Sequence, residues 1–295
     1  MTAELQHLFD EPVLSMTVLS PGYSGHASDV WQVQTASGIC IVRSPRPGAA
    51  QGNPFWWGLR ELFGTDPQRL EDLQTINALL GRLGAFRVPQ VKRVVSNPER
   101  SYAVLETVPG QMLDSFVGQG AELLTELGTG LARLHARKLD WWGHPSGRVR
   151  ADLADFHPRL ATVMQALVER FYVGTEIKVA LPSVLAQLQQ LPAPACACPL
   201  MIDLDPSQFL SEGGRLGALV DTEAFVMAPP EFDLIALDYL LDEPGADHFR
   251  HGYEQVRPLP PVTEVRTVYR FLYRLLEVQG DMDLGLWMKQ PQLFP

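Results

Sequence analysis

The sequence predicts an α+β protein of two lobes, a small antiparallel-sheet N-terminal lobe and a larger, mostly helical C-terminal lobe. Its 295 residues suffice for about two domains or one large two-lobed domain. Hydrophobic residues make up 46% and charged residues 20%, so the chain can bury an apolar core. Strand-like segments fill roughly the first hundred residues, and helical patterns fill most of the remainder.

The predicted sheet consists of five short segments rich in Val, Ile and aromatic residues, separated by Gly, Pro, Asn or Ser turns. They span residues 13–20, 28–35, 38–43, 91–95 and 102–107. Between the third and the fourth, residues 66–83 carry Leu and Ile at helical spacing, with Asp66 as the expected N-cap and Pro67 at the first helical position. This helix is expected to end near Gly84.

The second part of the chain is expected to be helical. Residues 121–136 place leucines on one face at helical spacing, and residues 182–191 and 262–278 are similarly amphipathic. The Pro- and Ala-rich run 191–199 interrupts the helical pattern but does not separate two domains. The sequence contains no internal repeat.

Charge and cysteine content exclude several classes of protein. With 24 basic and 34 acidic residues the net charge is -10, so the chain lacks the positive footprint of a phosphate-backbone binder and no nucleic-acid partner is expected. Cys40, Cys196 and Cys198 are too few for a disulfide framework or a four-ligand zinc site, and the first residues lack a signal-peptide pattern. No apolar run approaches the roughly 20 residues that span a bilayer. We expect a cytoplasmic protein with no membrane partner, and its oligomeric state stays open.

The acidic residues are concentrated in one region. Residues 199–255 contain twelve acids and two bases, whereas the remaining chain is neutral. Such a cluster can hold a divalent metal or attract a cationic small-molecule substrate. The alternative interpretation is an acidic, solvated face.

Two short apolar stretches in this region each end in carboxylates. Residues 200–210 contain Asp203 and Gln208, and residues 216–223, after a Gly-Gly turn, end with Asp221 and Glu223. Phosphoryl transfer needs one carboxylate to accept the acceptor's proton, with a second carboxylate and an amide oxygen to hold magnesium on the phosphates. Asp203 and Gln208 have the five-residue spacing of that arrangement, and Asp221 is placed to chelate the ion from the opposite side.

At these positions the sequence resembles the aminoglycoside phosphotransferase and choline kinase-like family, small-molecule relatives of the protein kinases. The resemblance covers roughly residues 13–280. It rests on six motifs in the family's order: VLETVPG at 104–110, LARLHA at 131–136, MID with Gln208 at 201–208, VDTE at 220–223, PEFDLIA at 230–236 and FRHGY at 249–253. It implies a protein-kinase-like fold divided into a nucleotide-binding lobe at 1–106, a hinge at 107–110 and a helical lobe with the catalytic and metal loops at 111–295.

The resemblance also implies the roles of the acidic residues. Asp203 would be the catalytic base, and Gln208, Asp221 and the neighbouring Glu223 would hold magnesium, with ATP as the phosphoryl donor. His135, on a helix with a leucine face, is expected to be structural rather than catalytic.

The nucleotide is expected to contact the first lobe. Gly22, Gly25 and Ser28 lie in a turn where small residues let backbone N–H groups approach phosphates. Arg43 stands where the kinase pattern has a lysine. Its expected partner is an acid on the following helix: counting back from the family's helix-end signal at 83–89 places the position near Gln74, and Glu71, about one turn earlier, is favoured as the partner. The adenine edge should meet the backbone of Glu106 and Val108, with Leu105 bordering its pocket.

Three departures from the family pattern leave the activity open. Met201 and Ile202 replace the usual His-Gly, and Gln208 replaces an amide one methylene shorter, which shifts the oxygen by about one bond length where positioning matters most. The alternatives are an active ATP-magnesium kinase, a catalytically silent nucleotide- or ligand-binding protein, and a purely structural protein.

The acceptor is equally open among aminoglycoside-like molecules, amino alcohols and sugars. Five tryptophans either belong to the core or line a pocket for an apolar or sugar-like ligand: Trp56, Trp57, Trp141, Trp142 and Trp287.

Overall fold

A computed structural model describes residues 2–19, 27–46, 48, 52–97 and 100–295. Within these ranges, none of the helices has both the length and the apolar character needed to cross a membrane.

The N-terminal part is an antiparallel sheet of five strands, as the sequence predicts. The strands are β1 (Val13–Val18), β2 (Ser28–Thr35), β3 (Gly38–Pro45), β4 (Val91–Ser96) and β5 (Ser101–Glu106). Their order is β1-β2-β3-β5-β4, which places β3 at the centre, and every neighbouring pair is antiparallel. A short helix α1 (Thr2–Leu5) and a 3₁₀ turn (Gln6–Leu8) pack Leu5 and Leu8 against Trp31 and Val42 on one face of this sheet.

Two helices lie between β3 and β4. They are α2 (Pro54–Phe63) and α3 (Leu70–Leu83). The expected helix at 66–83 is therefore confirmed as α3 but begins later: Asp66 accepts the N–H of Gln68 at 3.0 Å and so caps a separate turn before the helix. The expected end is confirmed, since Gly84 adopts the left-handed conformation with φ 61°.

The C-terminal part is mostly helical. Its helices are α4 (Ala121–His135), α5 (Phe156–Phe171), α6 (Glu176–Leu188), α7 (Glu231–Leu240), α8 (Glu243–Glu254), α9 (Arg266–Leu276) and α10 (Leu284–Met288). Its short strands are β6 (Gln111–Met112), β7 (Trp141–Gly143), β8 (Arg150–Asp152), β9 (Cys198–Met201), β10 (Phe209–Glu212), β11 (Arg215–Leu219) and β12 (Phe225–Ala228). They form two small sheets with the orders β11-β10-β6 and β8-β7-β12-β9.

Helix α2 belongs to the N-terminal part of the sequence but packs on the C-terminal helices. Asn53 caps it by accepting the N–H of Phe55 at 2.8 Å, and its side chains Leu59 and Phe63 join the large core of the second part. Gly58 lies so close to Leu276 of α9 that a methyl group there would overlap the leucine. The division of the chain at residues 107–110 stays a prediction, and α2 ties sequence from before that point to the helices after it.

Helices α4 and α8 cross at very short range because each contributes a glycine. A Cβ atom on Gly252 would lie 2.7 Å from the carbonyl carbon of Thr125, and one on Gly128 would lie 2.8 Å from the backbone nitrogen of Tyr253. The helices that carry the LARLHA and FRHGY motifs therefore cross each other directly.

Candidate active site

The candidate catalytic loop follows a strand that is buried along its whole length. Strand β9 pairs with β12 through Met201 and Phe225, and Asp203 comes two residues after Met201. Downstream, Pro206 and Ser207 begin a 3₁₀ turn whose N-cap is Asp205. The Asp205 carboxylate accepts the backbone N–H of Ser207 at 2.9 Å. This turn fixes the chain between Asp203 and β10.

Gln208 is built into the same turn. Its side chain is buried, and its Oε1 accepts the backbone N–H of Asp205 at 3.3 Å, which completes a capping box. A carbonyl oxygen has two lone pairs, so this long hydrogen bond leaves one available. The role of Gln208 as a metal ligand stays a prediction.

The Asp203 carboxyl group has an altered acidity. Although the residue keeps some exposure to solvent, burial raises the pKa of Asp203 to about 7, and the negative charges of Asp221 and Asp205 add to the rise. The charge of Asp221 acts on Asp203 only if the two carboxylates lie close together. That Asp203 and Asp221 act in one site stays a prediction, which this electrostatic influence supports.

Asp221 lies two residues beyond the end of β11, the second arm of the hairpin, and has an unusual backbone. Its φ is 59°, in the left-handed region that non-glycine residues seldom adopt and that Asp tolerates better than most. Its side chain is 49% exposed, whereas that of Glu223, two residues on, is 7% exposed. The two carboxylates thus differ in access: Asp221 faces solvent and Glu223 is enclosed.

Arg43 of the central strand β3 joins these two carboxylates. Its Nη2 lies 2.8 Å from Asp221 Oδ1 and its Nε lies 2.5 Å from Glu223 Oε1, with the arginine side chain 14% exposed. Burial acts to lower the pKa of Arg43, but Asp221 and Glu223 outweigh it and raise that pKa, so the guanidinium stays charged. Burial raises the pKa of Glu223 well above its ordinary value, with Arg43 opposing and Asp221 adding to the rise.

The expected partner of Arg43 is corrected by this geometry. Glu71 lies in the first turn of α3 with an exposed side chain, and Gln74, one turn later, is exposed as well. The inward-facing acid of this helix is Asp72, the next residue along. Arg43 pairs instead with the metal loop, and a role for Glu71 in nucleotide binding stays a prediction.

The donor set suits a cation. Glu223 Oε1 contacts Arg43, Glu223 Oε2 is buried with no hydrogen-bond partner among the described residues, and Asp221 is open to solvent. Hard divalent ions prefer such oxygen ligands. Within the described ranges, however, no group of three or more His, Cys, Asp or Glu has the geometry to hold a metal ion. Asp221 and Glu223 fit a metal whose remaining ligands come from elsewhere, such as nucleotide phosphates.

Helix α3 braces the metal loop through residues that sequence reasoning missed. Thr222, between the two acids, donates its hydroxyl to Asn77 Oδ1, and Asn77 Nδ2 donates to the carbonyl of Pro89 at 2.8 Å. The available signal was the presence of polar Asn77 and Asp72 on the otherwise apolar inner face of α3.

Asp72 connects α3 to the second part of the chain. It forms an ion pair with Arg148, whose Nη2 also donates to the carbonyl of Gly64 at 2.6 Å. His144 Nε2 lies 4.0 Å from Asp72, and burial lowers the pKa of His144 to about 4, so this imidazole is neutral at physiological pH. A small cavity between these residues is also lined by Glu223.

A buried hydrogen-bond network holds the backbone at Met201, directly before the candidate catalytic loop. The backbone N–H of Met201 donates to Asp233 Oδ1 at 3.2 Å, and Asp233 Oδ2 lies 3.0 Å from His135 Nε2. His135 Nδ1 lies 2.8 Å from the hydroxyl of Tyr253. His135 is therefore structural, as expected. Because the anchor at residue 201 is a backbone group, it does not depend on which side chain Met201 carries.

The acid-rich run does not form a single solvated face. Asp233 is fully buried in the network above, and Asp238 is fully buried between Arg266 and Arg270 of α9, at 3.1 and 2.8 Å. Asp242 caps α8 by accepting the N–H of Gly245 at 2.9 Å. Several acids of residues 199–255 therefore stabilise the fold.

The nucleotide-side residues are placed as follows. Gly22 and Gly25 lie outside the described residues. Ser28 begins β2, and its buried hydroxyl has no hydrogen-bond partner in the part of the chain that the structure describes. Glu106 at the end of β5 accepts Arg87 Nη2 at 2.8 Å, and this bond lowers the pKa of Glu106.

The two apolar residues near the hinge differ in burial. Leu105 is buried with Leu70 and Leu73 between the sheet and α3, whereas Val108 is half-buried. Contacts of Leu105, Glu106 and Val108 with an adenine stay predictions.

Three of the five tryptophans considered above belong to the large core, where Trp56, Trp142 and Trp287 are buried.

Comparisons with known proteins show the family and the fold of this chain. The model of the phosphotransferase enzyme family matches residues 19–265. A macrolide 2'-phosphotransferase from Brachybacterium faecium superposes with a TM-score of 0.60 at 16% identity, covering 98% of each chain. A spectinomycin phosphotransferase, solved with ADP and spectinomycin, superposes with 0.64 at 11% identity, covering 94% of this chain and 86% of that one.

A third solved structure, a putative fructosamine-3-kinase from Haemophilus somnus, gives a TM-score of 0.61 at 15% identity and covers 98% of this chain and 93% of that one. No curated protein matches the sequence. The structural matches show the fold, which is that of the kinase-like phosphotransferases. The family match covers most of the chain, and the protein therefore belongs to the phosphotransferase enzyme family.

Proposed function

We propose that the protein transfers the γ-phosphoryl group of ATP, with magnesium, to a hydroxyl group of a small molecule. The observation that carries this proposal is the placement of Asp203 two residues after the buried strand β9 and of the exposed Asp221 two residues after β11, with the charge of Asp221 adding to the raised pKa of Asp203. Phosphoryl transfer to an alcohol uses two carboxylates in different roles, one near the acceptor and one on the metal.

Asp203 suits the role of general base. A base is most effective when its pKa lies near the working pH, and the pKa of Asp203 is about 7. At neutral pH its carboxylate can accept the proton of an acceptor hydroxyl and hold it during transfer. The network beneath Met201 keeps the loop that carries Asp203 in place.

Asp221 and Gln208 would hold the metal, together with Glu223. Magnesium, when bound there, supplies positive charge that offsets the charge of the phosphates. Arg43 adds a permanent positive charge beside the same carboxylates. Ser28, Leu105, Glu106 and Val108 would border the nucleotide, and the family resemblance gives Gly22 and Gly25, which lie outside the described residues, the same role.

The second candidate is a silent nucleotide- or ligand-binding protein of the same fold. Gln208 favours it, because the oxygen expected on the metal also accepts the N–H of Asp205. Retention of both Asp203 and Asp221 favours the enzyme.

The acceptor we propose is a hydroxylated molecule of the antibiotic or amino-sugar type, possessing a cationic group. The similar structures named above include proteins acting on a macrolide and on spectinomycin, and a putative kinase of fructosamines. The negative charges of Asp205 and Asp221, which add to the raised pKa of Asp203, would attract such a cation. We also propose action in the cytoplasm without nucleic-acid or membrane partners, which suits the three unpaired thiols Cys40, Cys196 and Cys198.

Calorimetry of ATP binding with and without magnesium, followed by a turnover screen, tests the proposal. The screen covers macrolides, aminocyclitols, aminoglycosides, fructosamines, amino alcohols and sugars, with Asp203→Asn as the blank. We expect magnesium-dependent ATP binding and phosphorylation of one class. Binding without turnover of any class would favour the silent protein, and absence of ATP binding would refute both candidates.

A further inference from the structure

We infer that Arg43 acts as an internal cation: its contacts with Asp221 and Glu223 oppose the binding of a divalent metal until a nucleotide contacts the arginine. The metal and the nucleotide then bind with positive coupling that Arg43 carries. This inference rests on the proposed function, because it concerns the same carboxylates that would hold the metal.

The first step is geometric. One guanidinium contacts both carboxylates through different nitrogen atoms, Nη2 to Asp221 at 2.8 Å and Nε to Glu223 at 2.5 Å. A planar fork that contacts two acids is held more firmly than a single-point contact. A metal drawn to these oxygens meets a positive charge already among them, and like charges a few ångströms apart repel.

The second step is that the usual alternative partner is missing from α3. Glu71 and Gln74 are exposed, and Asp72 is engaged by Arg148. Both acids that balance Arg43 in the ion pairs of the described residues come from the metal loop. Arg43 therefore has no carboxylate on the helix to withdraw to when a metal approaches.

The third step concerns what can release Asp221. Arg43 lies on the central strand β3, and its neighbour β2 begins at Ser28, directly after the turn expected to cover the phosphates. A triphosphate brings several negative charges and accepts guanidinium hydrogen bonds readily. Asp221 is the exposed half of the pair, so it is the acid that Arg43 can exchange for phosphate oxygens.

Thermodynamic linkage turns this exchange into a measurable coupling. If the nucleotide raises the affinity for metal by weakening the Arg43–Asp221 pair, the metal raises the affinity for nucleotide by the same factor. Removing the guanidinium should then raise the affinity for metal in the absence of any nucleotide.

The test is a titration of the full chain with Mn²⁺ alone, followed by electron paramagnetic resonance. We compare the parent with Arg43→Gln and with Arg43→Lys, whose ammonium cannot contact both acids through separate planar N–H groups. Arg46→Gln is the matched control, because it removes an arginine at the end of the same strand from its ion pair with Asp29 at 2.6 Å.

We expect Arg43→Gln to bind Mn²⁺ at least about tenfold more tightly than the parent, Arg43→Lys to bind a few fold more tightly, and Arg46→Gln to match the parent. If Arg43→Gln does not fold by circular dichroism, Arg43→Lys decides. A folded Arg43 variant with the parent's nucleotide-free Mn²⁺ affinity would overturn the inference.

A second titration, with a non-hydrolysable ATP analogue, separates this inference from the proposed function. We expect the analogue to tighten Mn²⁺ binding by a larger factor in the parent than in Arg43→Gln, and equal factors would overturn the coupling. Failure of the analogue to bind any variant would refute the proposed function, while the nucleotide-free Mn²⁺ comparison still decides whether Arg43 opposes the metal.

Discussion

Replacing Asp203 by asparagine should stabilise the metal-free protein, and the gain should grow with pH. The folded state raises the pKa of this carboxyl group from an ordinary 3.8 to about 7, mainly through burial. The folded protein therefore binds the proton more tightly than the unfolded chain does. Raising the pH through the interval between those two values costs the parent stability, and the asparagine variant does not share that cost.

The raised pKa sets a ceiling on this effect. A displacement of the pKa from 3.8 to about 7 corresponds to about 4 kcal/mol at full ionisation. Asp203 keeps partial contact with solvent, which screens the carboxylate, so we expect about 1–3 kcal/mol. The difference between variant and parent should be near its minimum at about pH 4 and should level off above about pH 7.5.

The assay is urea unfolding of parent and Asp203→Asn from pH 4 to 8.5 with a chelator present. We compare how the difference in unfolding free energy between Asp203→Asn and the parent changes with pH. Any pH-independent cost of placing an amide at this position therefore cancels. Asp247→Asn, an exposed carboxylate on α8, is the matched control and should follow the parent in parallel. A stability difference for Asp203→Asn that does not change with pH would refute the raised pKa.

Two further substitutions test the packing of the second part and the catalytic turn. Gly252→Ala should lower the free energy of unfolding by more than about 3 kcal/mol, because its Cβ would lie 2.7 Å from the carbonyl carbon of Thr125. Gly81→Ala, which meets nothing nearer than 3.9 Å, should be neutral or slightly stabilising, and equal urea midpoints for the two would contradict the close crossing. Gln208→Asn should cost about 1 kcal/mol and reduce turnover, because the shorter amide falls short of the backbone N–H that Gln208 now accepts. A rise in ATP hydrolysis in Gln208→Asn would instead indicate a decayed site.

The elements that carry local signals were predictable from the sequence. The strands of the first part alternate or cluster β-branched residues, and α3 places Leu73, Ile76 and Leu80 on one face, so local spacing alone indicates them. Asp203 and Asp221 were identified by spacing along one hairpin. That they share a site stays a prediction, which the contribution of Asp221 to the raised pKa of Asp203 supports.

Features that depend on contacts distant in sequence were not predictable. Helix α2 is stabilised by Leu276 and its neighbours on α9, which local periodicity does not contain. The Arg43 pairs with Asp221 and Glu223 join the central strand to the metal loop, also far apart in the sequence. The expected Arg43–Glu71 pair fails for the same reason, since Glu71 is exposed and the inward-facing acid of that helix, Asp72, pairs with the distant Arg148.

The most direct test of the central claim compares parent and Asp203→Asn in steady-state phosphoryl transfer and in magnesium-ATP calorimetry on the same preparations. With the acceptor found by the screen, we predict that turnover falls at least about a hundredfold in Asp203→Asn while the ATP affinity changes by no more than a few fold, because the base contacts the acceptor rather than the triphosphate. Equal turnover in the two proteins would remove Asp203 from the mechanism and contradict the proposed phosphotransferase site.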